Sequence, residues 1–426
     1  MRTKQFMVVL ACWAMATVAQ AQSRGAVWVH GLGSNQNEWA QWAALFTAER
    51  QLNTQSRGDF TSEEGVATMA GQVRGSYAAN PQSIYFGHSM GGVVGRHIDT
   101  DPNSPNTFGA IITAGGPHNG ARIANAARNG EVATAIADGA YNLGIGPSAQ
   151  LGMALFGVPG LVISSIGVGQ AVNHLESVVN QKLGAGFSNQ SVTDLMEGSS
   201  YQNSAPRNTQ TSTAKLLIYG NEESPVHWRL ASDYAYDDDR LVGWARTVSD
   251  YYEAAMWTNY GAAAVAGAFT FGLGAIPFVY IAIQWSRGMN WIRYDSERVW
   301  NYLIGSGIPS AYTVCYEYLD QNTFLACMGA DIPGYASDPQ DYETCLATSM
   351  RQTCYTYYAS TNGQSDGFIK APSQTGYNTA WANNAVREEA YGVNHLEMKK
   401  HPRMRDIYRD AFNGAYDSRF NVSIRP

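Results

Sequence analysis

The sequence predicts an α/β fold in which helices flank a mostly parallel central sheet. Three short runs, residues 26–29, 83–86 and 110–113, have the length and the β-branched and aromatic content of buried strands. A glycine-containing turn follows each run, and apolar residues at helical spacing follow the first two turns. This alternation is typical of parallel strands, because each needs a long crossover to reach the next.

The first 21 residues have the pattern of a secretory signal peptide. Arg2 and Lys4 precede an apolar run from Phe6 to Ala19, and Ala19-Gln20-Ala21 places small residues at the two positions that a signal peptidase reads. The run is too short to cross a bilayer comfortably. We therefore expect cleavage after Ala21 and a secreted or periplasmic protein.

Length and charge limit the class of protein. Removal of the first 21 of 426 residues leaves more chain than one core usually needs, so we expect a domain that carries insertions. Without Arg2 and Lys4 the formal net charge changes from −7 to −9, and the sequence contains no basic cluster. We therefore expect no nucleic-acid partner.

Four cysteines follow the signal segment and lie close together in the sequence: Cys315, Cys327, Cys345 and Cys354. An even number in an exported chain predicts two disulfides that staple one small subdomain. The sequence leaves all three pairings open. A zinc site is disfavoured, because no Cys-x-x-Cys spacing occurs.

A G-x-S-x-G pattern lies between the second predicted strand and its helix. Gly87-His88-Ser89-Met90-Gly91 follows residues 83–86, and residues 93–98 continue as a helix. A serine at the tip of such a turn has strained dihedrals, and its neighbours two residues away must lack side chains. The positive end of the helix also points at this serine. Ser89 is therefore the candidate nucleophile.

The loop after the first predicted strand supplies a second element that a serine nucleophile needs. Acyl transfer requires two backbone N–H donors aimed at the developing oxyanion. Met90 follows the candidate nucleophile and would supply one donor. Leu32, within His30-Gly31-Leu32-Gly33, is placed to supply the other. We expect Leu32 and Met90 to form the oxyanion hole.

These motifs resemble those of bacterial secreted lipases and esterases of the α/β-hydrolase superfamily. The resemblance is carried by residues 29–33, residues 87–92 and Gly116-Pro117-His118-Asn119-Gly120. Further similar residues occur near the C-terminus. The resemblance implies an α/β-hydrolase fold with helical lid or cap insertions. It also implies the chain order serine, acid, histidine, and a structural role for His118.

The resemblance and the chain order select the catalytic histidine. Val393-Asn394-His395-Leu396-Glu397 resembles the Asn-His-Leu-acid segment of these lipases, so His395 is the predicted base. His401 is the alternative. A nearly identical pentapeptide at residues 172–176 comes before any strand that could carry the acid, and therefore fits the order less well.

Two segments could supply the catalytic acid. Ser365-Asp366-Gly367 resembles the Asp-Gly turn that holds the acid in secreted lipases, and Asp366 precedes the predicted histidine by 29 residues. Glu222 and Glu223, which follow a predicted strand at residues 215–219, are the alternative acid. Either carboxylate could fix the tautomer of a histidine. We favour Asp366.

The resemblance also makes calcium a candidate ligand, although no cofactor is required for the predicted chemistry. Some lipases bind calcium through an acid two residues after the histidine, and Glu397 occupies that position. Residues 237–239 are three consecutive aspartates with hard oxygen ligands. An acidic run of this kind is more often a solvated loop, and the sequence offers no clear second ligand.

The chain is expected to consist of core segments separated by insertions. After a signal peptide at 1–21, the core comprises residues 22–130, a strand region at 211–225, and 361–426. The insertions are an apolar helical lid or cap at 131–210 and a second region at 226–360, in which apolar helices precede the cysteine-rich excursion.

Residues 254–286 contain no charged side chain. The stretch is long enough for a membrane-spanning helix, but Gly267, Gly272, Gly274 and Pro277 interrupt it. Two shorter helices fit equally well. They would form buried core of a cap or a lid that contacts lipid, and the two roles are compatible.

The combined features predict a secreted, lipase-like hydrolase of carboxylic esters that works through an acyl-enzyme. Its expected substrate is a lipid or another acyl ester. Two alternatives use the same sequence features. One is an acyltransferase with the same triad, and the other is a catalytically silent binding protein on this fold.

Overall fold

The structure is a computed structural model that describes residues 23–103, 107–132, 134–135, 139, 142–144, 189–269, 276–329, 342–360 and 363–425. The predicted signal peptide and most of the first insertion lie outside the described residues. The chain divides into two compact units. Unit 1 comprises Met1–Ala124, Ser188–Glu223 and Gln364–Pro426, and unit 2 comprises Asn125–Phe187 and Ser224–Gly363. Residues 189–210, which the sequence placed in the first insertion, belong to unit 1.

Unit 1 contains a six-stranded sheet in which every neighbouring pair is parallel. The strand order is β2-β1-β3-β4-β5-β8. The strands are β1 Arg24–Val29, β2 Leu52–Ser56, β3 Asn80–His88, β4 Phe108–Ala114, β5 Ala214–Asn221 and β8 Val386–Tyr391. The predicted parallel central sheet is therefore confirmed.

The described helices, in chain order, surround this sheet or belong to unit 2. They are α1 Ala40–Glu49, α2 Val66–Gly75, α3 Met90–Asp99, α4 Arg122–Arg128, α5 Gln190–Leu195, α6 Ala205–Asn208, α7 Val226–Tyr236, α8 Arg240–Phe269, α9 Ile276–Asn290, α10 Ser296–Ile304, α11 Gln321–Cys327, α12 Tyr342–Ser349, α13 Ala371–Gln374 and α14 Pro402–Phe412. Short 3₁₀ turns occur at Gln36–Trp39, Ala380–Ala382, Glu397–Lys399 and Ser418–Phe420.

Both faces of the sheet are covered, which explains why its strands read as continuous apolar runs rather than alternating ones. On one face, Trp28 and Phe86 pack with the buried sides of α1 and α14. On the other face, Val27 and Tyr85 pack with α2 and α3. Neighbouring residues of one strand point to opposite faces, so each strand contributes to two cores.

Aromatic rings dominate the core on the α1 and α14 side. Phe46 lies edge-to-face against Phe412 with ring centroids 5.0 Å apart, and against Tyr408 at 5.7 Å. Trp28 stacks on Phe86 at 4.0 Å. Each such pair contributes about 0.5–1.5 kcal/mol beyond the burial of its area. This packing fixes the strands whose carboxyl ends carry the candidate site.

Unit 2 contains helices and the antiparallel pair β6 Pro309–Leu319 and β7 Met350–Ser360. A disulfide joins Cys327, at the end of α11, to Cys345 in α12. One of the two predicted disulfides is therefore present, and its pairing is now defined. Cys315 and Cys354 occupy directly opposite positions in the register of β6 and β7.

The charge-free stretch at residues 254–286 divides between two helices, as one of the two sequence interpretations expected. α8 extends to Phe269 and α9 begins at Ile276. Their contact includes Tyr252, Met256, Ile281 and Trp285, which form one buried cluster. No helix among the described residues combines the length and the hydropathy that crossing a membrane requires.

Candidate active site

Ser89 lies at the sharp turn between β3 and α3. Its backbone has φ 53° and ψ −125°, a conformation that residues with a side chain rarely adopt. Strain of this kind costs on the order of 1–3 kcal/mol and persists only where the surroundings enforce it. The Ser89 N–H donates to the carbonyl of Ala114 at 2.9 Å, which ties the turn to the end of β4.

Two glycines make this turn sterically feasible. A Cβ at Gly87 would lie 2.5 Å from the carbonyl oxygen of Gly91, and a Cβ at Gly91 would overlap the carbonyl oxygen of Val29. Neither contact could be relieved by moving a flexible side chain, because both involve backbone. The G-x-S-x-G pattern in this chain is therefore a geometric requirement of the turn.

His395 and Asp366 form a buried hydrogen-bonded pair. His395 Nδ1 is 2.6 Å from Asp366 Oδ2, and the His395 N–H donates to the Asp366 carbonyl at 2.8 Å. The other carboxylate oxygen, Oδ1, accepts from the N–H groups of Phe368 at 3.0 Å and Ile369 at 2.6 Å. Because Asp366 is fully buried, these donors compensate for the water that the carboxylate has lost.

The end of β4 brings Ser89 and this pair to the same part of unit 1. Ala114, the last residue of β4, accepts the hydrogen bond from Ser89. Its neighbour Gly115 is so close to the pair that an added Cβ would lie 3.0 Å from His395 Nδ1 and 3.1 Å from Asp366 Oδ2. The three residues therefore gather at the carboxyl ends of neighbouring parallel strands, where open α/β sheets bind ligands.

The loop that carries Leu32 lies against Ser89. A Cβ added to Gly31 would lie 2.9 Å from the Cβ of Ser89. The Gly31 N–H donates to Glu38 Oε1 at 3.1 Å, and the Gly33 N–H donates to Ser62 Oγ at 2.9 Å. The amide of Leu32 is thus held between two anchored neighbours.

Met90 occupies the first position of α3. The first N–H groups of a helix have no partner within the helix, so they are available to an anion placed at its end. Ser89, which caps this helix, makes no side-chain capping hydrogen bond. The backbone N–H of Met90 therefore belongs to the helix end that directly follows Ser89.

A buried ion pair, Glu38 with His88, lies beside the site and was not assigned a role from sequence. Glu38 Oε1 is 2.8 Å from His88 Nδ1, and both side chains are almost completely buried. Burial alone would raise the pKa of Glu38, but the charge of His88, hydrogen bonds from His88 and Ser34, and the charge of Lys399 lower it to about 2. Glu38 is therefore ionised over the physiological range.

The other histidines near the site have structural partners. His118 is fully buried, and its Nε2 lies 3.2 Å from Thr113 Oγ1. Burial, with the charge of Arg96 as a smaller cause, lowers the pKa of His118 well below its usual value. His401, the alternative base, caps α14, since its Nδ1 accepts from the Arg403 N–H at 3.1 Å.

The alternative acids follow β5. The Glu222 N–H donates to the Ser365 carbonyl at 2.6 Å, and Glu222 Oε1 accepts from the Glu223 N–H at 2.7 Å. Glu222 therefore lies beside the turn that carries Asp366, while Glu223 is exposed. The carboxylate that bonds His395 Nδ1 is that of Asp366.

Two of the residues suggested for calcium, Glu397 and Asp238, have hydrogen-bond partners within the protein. Glu397 Oε2 accepts from the Asn394 N–H at 3.0 Å and so closes the turn that carries His395. Asp238 pairs with Arg240 at 2.9 Å. Within the described residues no group of three or more His, Cys, Asp or Glu side chains could hold a metal ion. Calcium binding therefore stays a prediction from the resemblance.

The sequence matches no family model and no curated protein. Among solved structures, one similar chain is described as "Novel epoxide hydrolases belonging to the alpha/beta hydrolases superfamily in metagenomes from hot environments". It is 10% identical, the match covers 48% of this chain and 76% of that chain, and the TM-score is 0.24. So distant a likeness carries no argument about this chain. The parallel sheet flanked by helices, with Ser89 at a strained turn between strand and helix, itself has the architecture of an α/β-hydrolase.

Proposed function

We propose that this protein is a serine hydrolase of carboxylic esters, lipase-like in its substrate class. The observation that carries the proposal is the buried hydrogen bond between Asp366 and His395, located beside a serine in a strained strand-to-helix turn. A protein that only binds a ligand would have no need to bury a carboxylate–imidazole pair next to such a serine.

The geometry supports the following chemistry. Ser89 Oγ attacks the ester carbonyl, and His395 accepts the serine proton at Nε2, because Nδ1 is committed to Asp366. Asp366 fixes that tautomer and stabilises the imidazolium. The backbone N–H groups of Leu32 and Met90 stabilise the tetrahedral oxyanion.

The second half of the reaction repeats these steps with water as the nucleophile. His395 first donates its proton to the leaving alcohol, which leaves an acyl group on Ser89. Water then attacks this acyl-enzyme while His395 again accepts a proton, and the acid product departs. The cycle leaves the protein unchanged and needs no metal or organic cofactor.

Two further features support the proposed setting. A disulfide such as Cys327–Cys345 persists in oxidising compartments, which supports a secreted or periplasmic protein. In unit 2, Trp244, Tyr251 and Trp257 of α8 are each more than half exposed. Exposed Trp and Tyr favour lipid–water interfaces, so this helix is a candidate for contact with an aggregated lipid substrate.

The test is hydrolysis of p-nitrophenyl esters from acetate to palmitate by the wild-type protein and Ser89→Ala. We expect wild-type activity and a loss of about 10⁶-fold in kcat in the variant. Activity that rises with acyl length supports a lipase, whereas activity confined to short esters supports an esterase. If an added alcohol diverts most of the product to a new ester, the enzyme is an acyltransferase. Equal inertness of both proteins would contradict the proposal.

A further inference from the structure

We propose that Glu38 and His88 are positioning residues. They hold the backbone of His395 and the loop at residues 30–33, here called the oxyanion loop, in one hydrogen-bonded unit. This inference rests on the proposed ester hydrolysis. It assigns a role in the reaction to an ion pair that neither attacks the substrate nor touches the transferred proton. The argument uses the hydrogen-bonding capacity of one imidazole ring.

Both nitrogens of His88 face acceptors. Nδ1 is 2.8 Å from Glu38 Oε1, and Nε2 is 2.9 Å from the carbonyl oxygen of His395. A neutral imidazole carries only one N–H and can donate to only one of them. Both contacts are hydrogen bonds when His88 is an imidazolium and Glu38 is a carboxylate.

The surroundings of Glu38 favour its carboxylate form. The same Glu38 oxygen also accepts from the Gly31 N–H at 3.1 Å, which a carboxylate does better than a protonated acid. Lys399 lies close enough to favour the negative charge on Glu38. The centroid of the His88 ring is 4.8 Å from that of the His395 ring.

The resulting chain of hydrogen bonds connects four separate parts of the sequence. It runs from the Gly31 N–H to Glu38, then to His88, and ends on the His395 carbonyl. His395 is consequently held at its N–H by Asp366 and at its carbonyl by His88. With both backbone groups fixed and Nδ1 bonded, the ring has little freedom to move away from the serine.

Position matters more here than stability. Well-packed apolar residues can often replace a buried ion pair without loss of stability, so stability alone is a weak reason for one at this place. By contrast, a displacement of about 1 Å in a catalytic group can cost about 100-fold in rate. His88 also directly precedes Ser89, so its fixed ring restrains the nucleophile as well.

Two substitutions at His88 separate its two hydrogen bonds. In His88→Gln the side-chain amide can reach the position of Nε2 and donate to the His395 carbonyl. In His88→Asn the shorter amide can occupy the position of Nδ1 and donate only to Glu38. His97→Asn is the matched control, because His97 lies on the following helix and contacts Tyr201 rather than the site.

We expect His88→Asn to lower kcat for p-nitrophenyl butyrate by 10- to 100-fold with KM changed less than threefold. His88→Gln should restore kcat to within about fivefold of wild type, and His97→Asn should leave it unchanged. The low-field NMR resonance of the His395 Nδ1 proton should shift in His88→Asn and return in His88→Gln. A structural role alone would not produce this separation between Gln and Asn.

The proposal is overturned if His88→Asn keeps wild-type kcat and an unmoved resonance, or if His88→Gln is as impaired as His88→Asn. Should His88→Asn not fold, His88→Ser replaces it, because the short serine side chain cannot reach the His395 carbonyl. Wild-type kcat in that variant also overturns the proposal. If the wild-type protein hydrolyses no ester, the proposed function fails, whereas the NMR comparison still tests the positioning role.

Discussion

Asp366 satisfies several demands with one side chain. Its Oδ1 accepts two backbone N–H groups of its own turn, and its Oδ2 bonds His395. Because two backbone N–H groups fix the Asp366 carboxylate, the carboxylate can fix the orientation of the His395 imidazole. The backbone geometry of this turn thus orients the His395 ring, 29 residues further along the chain.

Replacing Asp366 tests this role. Asp366→Asn keeps the shape of the side chain but can present an amide N–H to Nδ1, which favours the wrong tautomer of His395. We expect kcat for p-nitrophenyl butyrate to fall by about 10⁴-fold with little change in the thermal unfolding midpoint. Glu222→Gln and Glu223→Gln serve as controls and should retain activity. A larger loss in either control than in Asp366→Asn would reassign the acid.

At the scale of elements, the ion pair of Glu38 and His88 joins the 3₁₀ turn Gln36–Trp39 to the nucleophile turn between β3 and α3. Trp39 of the same 3₁₀ turn donates its ring N–H to the Val29 carbonyl at 2.9 Å. The short turn is therefore bonded both to the end of β1 and to the turn that carries Ser89. Through Glu38 it also accepts a hydrogen bond from Gly31 in the oxyanion loop.

The lowered pKa of Glu38 predicts how this attachment responds to acid. The pKa is about 2 in the folded protein and 4.5 in the reference state, so its stabilising contribution is complete above pH 4.5 and is lost as the pH falls towards 2. Between pH 5 and pH 3 the loss amounts to about 2 kcal/mol.

Urea unfolding at pH 5 and pH 3 measures this contribution. The free energy of unfolding of Glu38→Gln should fall less between the two pH values than that of the wild-type protein, by about 2 kcal/mol. Glu49→Gln is the control, because the ion pair of Glu49 with Arg409 is partly exposed and should contribute little. Equal pH dependence of Glu38→Gln and the wild type would show that Glu38 is not held ionised.

Elements that depend on local sequence could be predicted, and long-range polar contacts could not. The nucleophile turn needs glycine at fixed positions, so Gly87, Ser89 and Gly91 identify it from the sequence. The bond between Glu38 and His88 joins residues 50 apart, and the bond from His88 to the His395 carbonyl joins residues 307 apart. No periodicity signals such contacts, and a glutamate on a short helix resembles a solvated residue.

The boundaries of the insertions show the same limit. Residues 189–210 lie between predicted core segments and were placed in the first insertion, but they belong to unit 1. The Asp194 carboxylate accepts from the Val66 N–H at 2.9 Å, and Ser191 Oγ accepts from the Gly65 N–H at 2.8 Å. These side chains cap the start of α2, an interaction between distant segments that composition does not reveal.

On the scale of the whole molecule, the disulfide lies in unit 2 and the proposed catalytic groups lie in unit 1. Cys327 and Cys345 are 18 residues apart, for which the chain-entropy model gives about 3 kcal/mol of stabilisation. The disulfide stabilises unit 2, because the chain between Cys327 and Cys345 lies in that unit. The double variant Cys327→Ser/Cys345→Ser is therefore expected to weaken unit 2 selectively.

Differential scanning calorimetry together with ester hydrolysis checks this expectation. A transition of the double variant should move to lower temperature, while kcat for a short soluble ester at 25 °C stays within about twofold of wild type. The wild-type protein treated with reductant should behave like the variant. A parallel loss of kcat at a temperature where the variant remains folded would show that the disulfide supports the catalytic groups directly.

The backbone of Ser89 has an evolutionary consequence. A glycine at this position would adopt φ 53° with less strain, so the residue that hydrolysis requires is not the one that the turn itself prefers. Under the proposed function, the turn therefore carries a strained side chain that lowers the stability of the protein and supplies the nucleophile.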